Sequence, residues 1–207
     1  MPQNPSTPPD LLVLAFAQIA ERGPTRFSRL ALARAAGLEL VEVHAYLPDR
    51  ASLVRRLGER LDREMLQVPV RELEGLDRRE RLFELVMRRL DAAAPFRAGL
   101  ARLVATRGCE FRLLLASLGN LDRLGDWLIE GSGLDPGPLG RLVVKPALLA
   151  LYARVFRVWL TDETPDRSPT MAALDRGLAR IEPLFGLCAR GASMAPPSAT
   201  GASEAPA

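Results

Sequence analysis

The sequence predicts an all-α fold of about nine helices, arranged as a small head and a larger helical body. Apolar residues recur at three- and four-residue spacing in nearly every segment, and no segment shows the sustained alternation of a strand. Residues that cap or break helices separate these segments. With 207 residues and 48% hydrophobic content, the chain is large enough to bury a substantial core.

The first four predicted helices form the head, residues 10–66. Asp10 and Ser28 are suited to cap the first two helices, and Gly37 supplies the left-handed backbone that a tight turn needs. The predicted spans are 10–22, 28–37, 38–46 and 48–67. Two helices joined by a short turn that contains Gly are typical of units that place a recognition helix in a DNA major groove.

A short hinge at 68–75, with a proline and a glycine, separates the head from the body, residues 76–187. The predicted body helices are 77–94, 96–107, 109–130, 139–160 and 168–187. Residues 1–9 are rich in Pro, and residues 189–207 consist mostly of Ala, Gly, Ser and Pro. We expect both termini to be disordered tails.

Short motifs in the head carry a family resemblance. They are Ala-Glu-Arg-Gly at 20–23, Ser28 with Leu32-Ala33, Ala36-Gly37-Leu38, Tyr46-Leu47-Pro48-Asp49-Arg50, and Leu53. With these motifs, residues 10–66 resemble the DNA-binding head of TetR-type transcriptional regulators. The body fits that family's ligand-binding and dimerisation domain in length and helix count. The resemblance implies a homodimeric repressor, in which a ligand in the body rotates the heads and changes their affinity for double-stranded DNA.

Residue chemistry and the resemblance together select the expected DNA contacts. Ser28 leaves a helix N-terminus open to a phosphate, and Arg50 matches the family's usual phosphate-contacting lysine. The expected contacts are Ser28, Arg29, Glu39, Glu42, Val43, His44, Tyr46 and Arg50. The alternative for the arginines is that they are ordinary solvated charges.

Several head residues depart from the family pattern. Glu39 and Glu42 stand where small hydroxyl residues are usual, and a carboxylate repels a phosphate by about 4 kcal/mol at 4 Å before screening. A glutamate can still accept a hydrogen bond from cytosine. His44, the single histidine, replaces an aromatic residue and can act as a phosphate donor or as a packing residue. The head contains nine Arg and eight Asp and Glu residues, so its net charge does not indicate whether it binds nucleic acid.

The large apolar side chains of the body can line a ligand cavity between helices or simply form the core. The candidate ligand-binding residues are Phe83, Met87, Leu90, Leu103, Phe111, Leu114, Trp127, Tyr152 and Phe156. Because few polar groups accompany them, we expect a small hydrophobic ligand. The last two helices are apolar on more than one face, which favours a homodimer. The candidate interface residues are Val155, Trp159, Leu174, Leu178 and Ile181.

A second resemblance concerns the body. Segments 81–91, 151–160 and 170–176 resemble the lipid-binding accessory protein of ubiquinone biosynthesis and its bacterial relatives, which share the TetR-like fold. That resemblance implies binding of an isoprenoid lipid and would explain the acidic recognition helix. The sequence after Phe185 offers no terminal amphipathic helix for a membrane surface, which argues against it.

Other classes of function lack their signatures in this chain. The sequence contains no Ser-His-Asp set, no Gly-rich phosphate loop and no metal-ligand spacing, so we expect neither an enzyme nor a bound metal or cofactor. Cys109 and Cys188 are far apart and are expected to be free thiols. No signal peptide or membrane-spanning run is evident, which predicts a cytoplasmic protein without stable membrane insertion.

Overall fold

The computed structural model describes residues 10–106 and 111–189, with side chains described at 10–106 and 117–185. Every element in these ranges is helical, which confirms the all-α prediction. The helices are α1 (Leu11–Arg22), α2 (Arg29–Ala36), α3 (Leu40–Tyr46), α4 (Arg50–Leu66), α5 (Val70–Glu74), α6 (Arg78–Ala93), α7 (Arg97–Ala105), α8 (Phe111–Gly131), α9 (Gly137–Thr161) and α10 (Ser168–Ala189). The predicted tails, apart from Ala189, lie outside the described residues, as do Cys109 and the side chain of Cys188.

Local capping explains where several helices begin. The side chains of Asp10, Ser28, Asp49 and Asp77 each accept a hydrogen bond from a backbone N–H two or three residues further on. Each bond satisfies a donor that the first turn of a helix leaves unpaired. These four starts agree with the sequence prediction, because each depends only on residues in the same turn.

Two predicted breaks are less complete than expected. The hinge at 68–75 contains the short helix α5. Pro95 lies in a 3₁₀ turn, Ala94–Phe96, that leads directly from α6 into α7. A proline is tolerated there because the first residues of a helix need no backbone donor.

The head and the body pack on one continuous hydrophobic core. Helix α1 lies against α7, where Gly99 allows close approach: a Cβ on Gly99 would lie 2.5 Å from the carbonyl oxygen of Phe16. The ring of Phe16 meets Phe96 edge-on, with 5.4 Å between their centroids. Helix α4 packs against both α6 and α8. The position of α4 is therefore set by body helices as much as by the head.

Helices α9 and α10 form an antiparallel pair joined by a loop that Asp162 organises. Its carboxylate accepts hydrogen bonds from the hydroxyl and backbone N–H of Thr164, at 2.6 and 3.1 Å. It accepts the same two kinds of bond from Thr170, at 2.5 and 3.0 Å. The bond from the Thr164 hydroxyl, followed by that from Thr170, lowers the pKa of Asp162 from 3.8 to about 2.

Candidate functional site

Helices α2 and α3 form a helix-turn-helix unit at one end of the molecule. Helix α2 ends at Gly37, whose φ of 67° is left-handed, and the next N–H, of Leu38, donates to Ala33 O at 3.0 Å. Val43 on α3 and Leu47, the C-cap residue that follows it, are fully buried and anchor this helix to the head's core. The expected DNA contact by Val43 is therefore corrected: its side chain points inward and has no surface to offer a duplex.

The opposite side of α3 faces solvent. Val41 is 71% exposed and Leu40 is 49% exposed, and Glu42, His44 and Ala45 are also exposed. A shallow open depression on this side is lined by Leu40, Val41, His44 and Arg29. The outward surface of this helix is thus largely apolar at its centre.

The two acidic residues of α3 are part of its own N-terminal structure. Glu39 is the N-cap residue, and the Glu42 carboxylate accepts its backbone N–H at 2.8 Å. A negative charge in the first turn is favourable because it meets the positive end of the helix dipole. The sequence analysis considered Glu42 as a group that repels phosphate or accepts from cytosine; in the structure it also stabilises the start of α3.

Two arginines hold the C-terminal end of α3. Nη1 of Arg29 donates to the carbonyl oxygens of Leu47 and Pro48, at 3.2 and 2.5 Å. Nε of Arg56 on α4 donates to Tyr46 O at 2.6 Å, and its guanidinium lies 4.1 Å from the centre of the Tyr46 ring. Arg29 and Tyr46, both expected to contact DNA, are therefore engaged in positioning α3. Sequence reasoning missed Arg56.

Ser28 and Arg50 lie beside the unit. Ser28 caps α2 with its hydroxyl, which accepts the N–H of Ala31 at 3.3 Å, and its own N–H donates to the side chain of Gln18 at 2.8 Å. Arg50 is the first residue of α4, and its Nη2 donates to Thr25 O at 3.4 Å. Both residues are partly exposed.

A buried polar network joins α4 to the body, and the sequence analysis did not anticipate it. The carboxylate of Asp62 on α4 accepts from Arg89 on α6 and, at 2.7 Å, from Arg123 on α8. Nε of Arg89 also donates to the Tyr152 hydroxyl at 3.3 Å, and Arg123 donates to Asn120 Oδ1 at 3.0 Å. A signal was present, since Arg89 falls on the same three- and four-residue spacing as the buried apolar residues of α6.

The predicted ligand-binding residues do not come together in one described cavity. Leu90 and Tyr152 are buried, and the Phe156 ring stacks between Tyr152 and Trp159, with centroids 6.0 and 5.6 Å away. Met87 is partly buried, and Trp127 is exposed. Phe83 lines a surface depression between α6 and α10, and Leu103 lies beside the head near Phe27 and Leu53. The side chains of Phe111 and Leu114 lie outside the described residues.

The predicted dimer residues are also placed differently from expectation. Val155 and Trp159 on α9 and Leu174 and Leu178 on α10 are fully buried within the protomer, and Ile181 is partly buried. The four buried residues are corrected as interface candidates, because a second copy cannot reach them. They were selected because they are apolar, and the core of the protomer itself buries the sides of α9 and α10 that carry them.

A different side of α9 is exposed. Its exposed residues recur every three or four positions and form what we call the α9 stripe: Leu139, Leu142, Val143, Pro146, Ala150, Arg154 and Arg157. Its N-terminal half is apolar, with Leu142 at 74% exposure. Beside it, Arg141 and Lys145 bind Asp126 at 2.7 and 2.9 Å, and these hydrogen bonds, that from Arg141 first, lower the pKa of Asp126.

No helix in the described part of the chain combines the length and apolar character that crossing a bilayer requires.

No protein-family model matches the sequence, and no curated protein matches it. Several solved structures are similar in fold, and two of them illustrate the likeness. One is a TetR transcriptional regulator from Nitrosomonas europaea, with a TM-score of 0.68 and 20% identity over 82% of this chain and 94% of the other. The second is NalD, the secondary repressor of the MexAB-OprM multidrug efflux pump in Pseudomonas aeruginosa, with a TM-score of 0.52 and 20% identity over 86% and 94%. The chain therefore has the fold of the TetR-type transcriptional regulators.

Proposed function

We propose that this protein is a transcriptional repressor that binds double-stranded DNA as a homodimer and is released by a small apolar ligand. The observation that carries the proposal is the presentation of α3, whose inner side is anchored by Val43 and whose outer side faces solvent. A recognition helix must be held rigidly and must project outward to enter a major groove. The two solved structures compared above belong to proteins described as a transcriptional regulator and a repressor.

The proposed DNA contacts are the exposed or partly exposed residues around α3. Val41, Ala45 and His44 would face the groove, while Ser28 and Arg50 would face the phosphates. Arg29 and Tyr46 remain partly exposed, and we assign them to the support of α3.

A charge reversal at Arg50 tests this interface. We expect Arg50→Glu to abolish binding to duplexes selected from a random pool by the purified wild-type protein, measured by fluorescence anisotropy at low salt. Arg78→Glu is the matched control, because Arg78 is likewise the first residue of a helix whose N-cap is an aspartate, but it lies in the body. Equal binding by both variants would show that the head is not the DNA-binding surface.

The homodimer is proposed to form through the α9 stripe. Two copies related by a two-fold axis would bury the apolar half of each stripe against the other. We expect Leu142→Glu to produce monomers in sedimentation velocity experiments. Val70→Glu is the control, since Val70 is 71% exposed, close to the 74% of Leu142, and lies on α5 away from the stripe. A dimer that survives Leu142→Glu would exclude this surface.

The proposed ligand site lies between α6 and α9, near Tyr152 and Phe156, whose rings stack 6.0 Å apart. These aromatic side chains suit an apolar molecule, and the Arg89–Tyr152 contact adds a polar end that orients it. The measurement is release of a selected duplex by a panel of small apolar compounds. Release that persists in a Phe156→Ala variant would place the site elsewhere.

The lipid-binding accessory role is the second candidate function. It is favoured by one observation: Arg29 and Arg56 donate to backbone carbonyls, so fewer cations of the head are directed at phosphates. Solvent extraction of the purified protein distinguishes the two functions. An isoprenoid lipid in the extract, with no duplex enriched from the random pool, would favour the lipid-carrier function over the repressor function.

A further inference from the structure

The centre of the outward face of α3 is formed by two apolar residues. Successive residues of a helix are about 100° apart, so Val41 and Ala45 each lie about 160° from the buried Val43. His44 and Glu42 flank them on either side. Val41 is 71% exposed, and its isopropyl side chain is not part of the hydrophobic core.

The chemistry of α3 restricts which bases it can recognise. The helix and its N-cap, residues 39–46, contain no Arg, Lys, Asn or Gln, the side chains that bond guanine or adenine most effectively. The Glu42 carboxylate already accepts the Glu39 N–H at 2.8 Å. The remaining central surface is apolar. In the major groove the apolar group that a base offers is the C5-methyl of thymine.

We propose that Val41 is the main specificity-determining residue of α3 and that, with Ala45, it recognises thymine methyl groups in each half-site. This inference rests on the proposed DNA-binding function and adds the base that the recognition helix selects. Of the two side chains, that of Val41 extends further from the helix axis. Ala45 lies one turn further along and is small enough to let the helix approach the base edges. His44 remains available to donate to a neighbouring acceptor.

Removing one methyl group from the duplex tests the inference directly. Duplexes are selected from a random pool with the full chain at low salt, and each conserved thymine is then replaced by deoxyuridine. This change keeps every hydrogen-bonding group of the base. Burial of one methyl corresponds to about a fourfold change in affinity, so we expect about a fourfold loss at the thymine that Val41 contacts.

Protein variants locate the contact. Val41→Ala should lose the same affinity for the thymine duplex and should no longer distinguish thymine from deoxyuridine at that position. Val70→Ala, an equally exposed valine on α5, should retain the distinction. Both sites are exposed, so neither variant disturbs the core.

The outcomes separate the inference from the proposed function. If a sequence is selected and deoxyuridine binds as well as thymine at every position, the inference fails while DNA binding stands. If methyl discrimination persists in Val41→Ala, Val41 does not carry it and the inference also fails. If no sequence is enriched by the wild-type protein, the proposed function itself fails.

Discussion

Asp62 is the residue whose removal most directly tests how α4 is held against the body. Its carboxylate accepts hydrogen bonds from Arg89 and Arg123, which lie on two other helices. The side chains of Asp62 and Arg89 are almost completely buried, whereas that of Arg123 is 37% exposed. Loss of the carboxylate therefore leaves Arg89 buried without its charged partner, whereas Arg123 stays in contact with water.

The expected cost follows from that difference. Asp62→Ala leaves the Arg89 guanidinium buried with the Tyr152 hydroxyl as its remaining polar neighbour in the network, and breaking a buried pair from one side costs about 3–5 kcal/mol. Arg123→Ala costs about 1 kcal/mol or less, because the pair on that side is partly exposed to water. Replacing both buried charges, as Asp62→Leu with Arg89→Met, should recover most of the loss.

Urea unfolding followed by circular dichroism measures these three free energies of unfolding. A domain is typically stable by about 5–15 kcal/mol, so the loss in Asp62→Ala is a large share of the total. The reasoning would be refuted if Asp62→Ala and Arg123→Ala cost the same. It would also be refuted if the double variant were no more stable than Asp62→Ala.

Two further predictions concern close packing and acid stability. Gly99→Ala should lower the melting temperature by overpacking worth about 1–3 kcal/mol, because its Cβ would meet the Phe16 carbonyl oxygen, which cannot move as a side chain can; Gly75→Ala, with open space around it, is the control and should be silent. Asp162 has a pKa that falls from 3.8 to about 2 on folding, so its carboxylate contributes stability that is present above pH 3.8 and is lost as the pH falls through about 2. Melting curves between these pH values should therefore show the advantage of the wild type over Asp162→Asn shrinking with acidification, and a constant difference would contradict the assignment.

Helix starts were predictable from the sequence because their causes are local. A capping side chain and its acceptor or donor lie within three residues, as at Asp49 and Asp77. Contacts between distant segments could not be predicted in the same way. Arg29 reaches carbonyl groups 18 and 19 residues away, and nothing in its own neighbourhood distinguishes it from a solvated arginine.

The burial of α9 shows a second limit of sequence reasoning. Its apolar residues lie on more than one face, so the composition indicated correctly that some of them would remain outside the core. It did not indicate which, because Val155 and Leu142 have the same chemical preference for burial. The packing of α9 against α10, α8, α6 and α7 decides that Val155 is covered and Leu142 is exposed.

Helix α4 connects the two parts of the molecule that matter for the proposed function. Near its start, Arg56 holds the last turn of α3 through Tyr46 O. Six residues later on the same helix, less than two turns away, Asp62 is held by α6 and α8. Because a helix resists bending over so short a distance, a displacement of either body helix that moves Asp62 must also move Arg56. The orientation of α3, and with it that of the proposed contact residue Val41, is thus set partly by Arg89, a residue in the interior of the body.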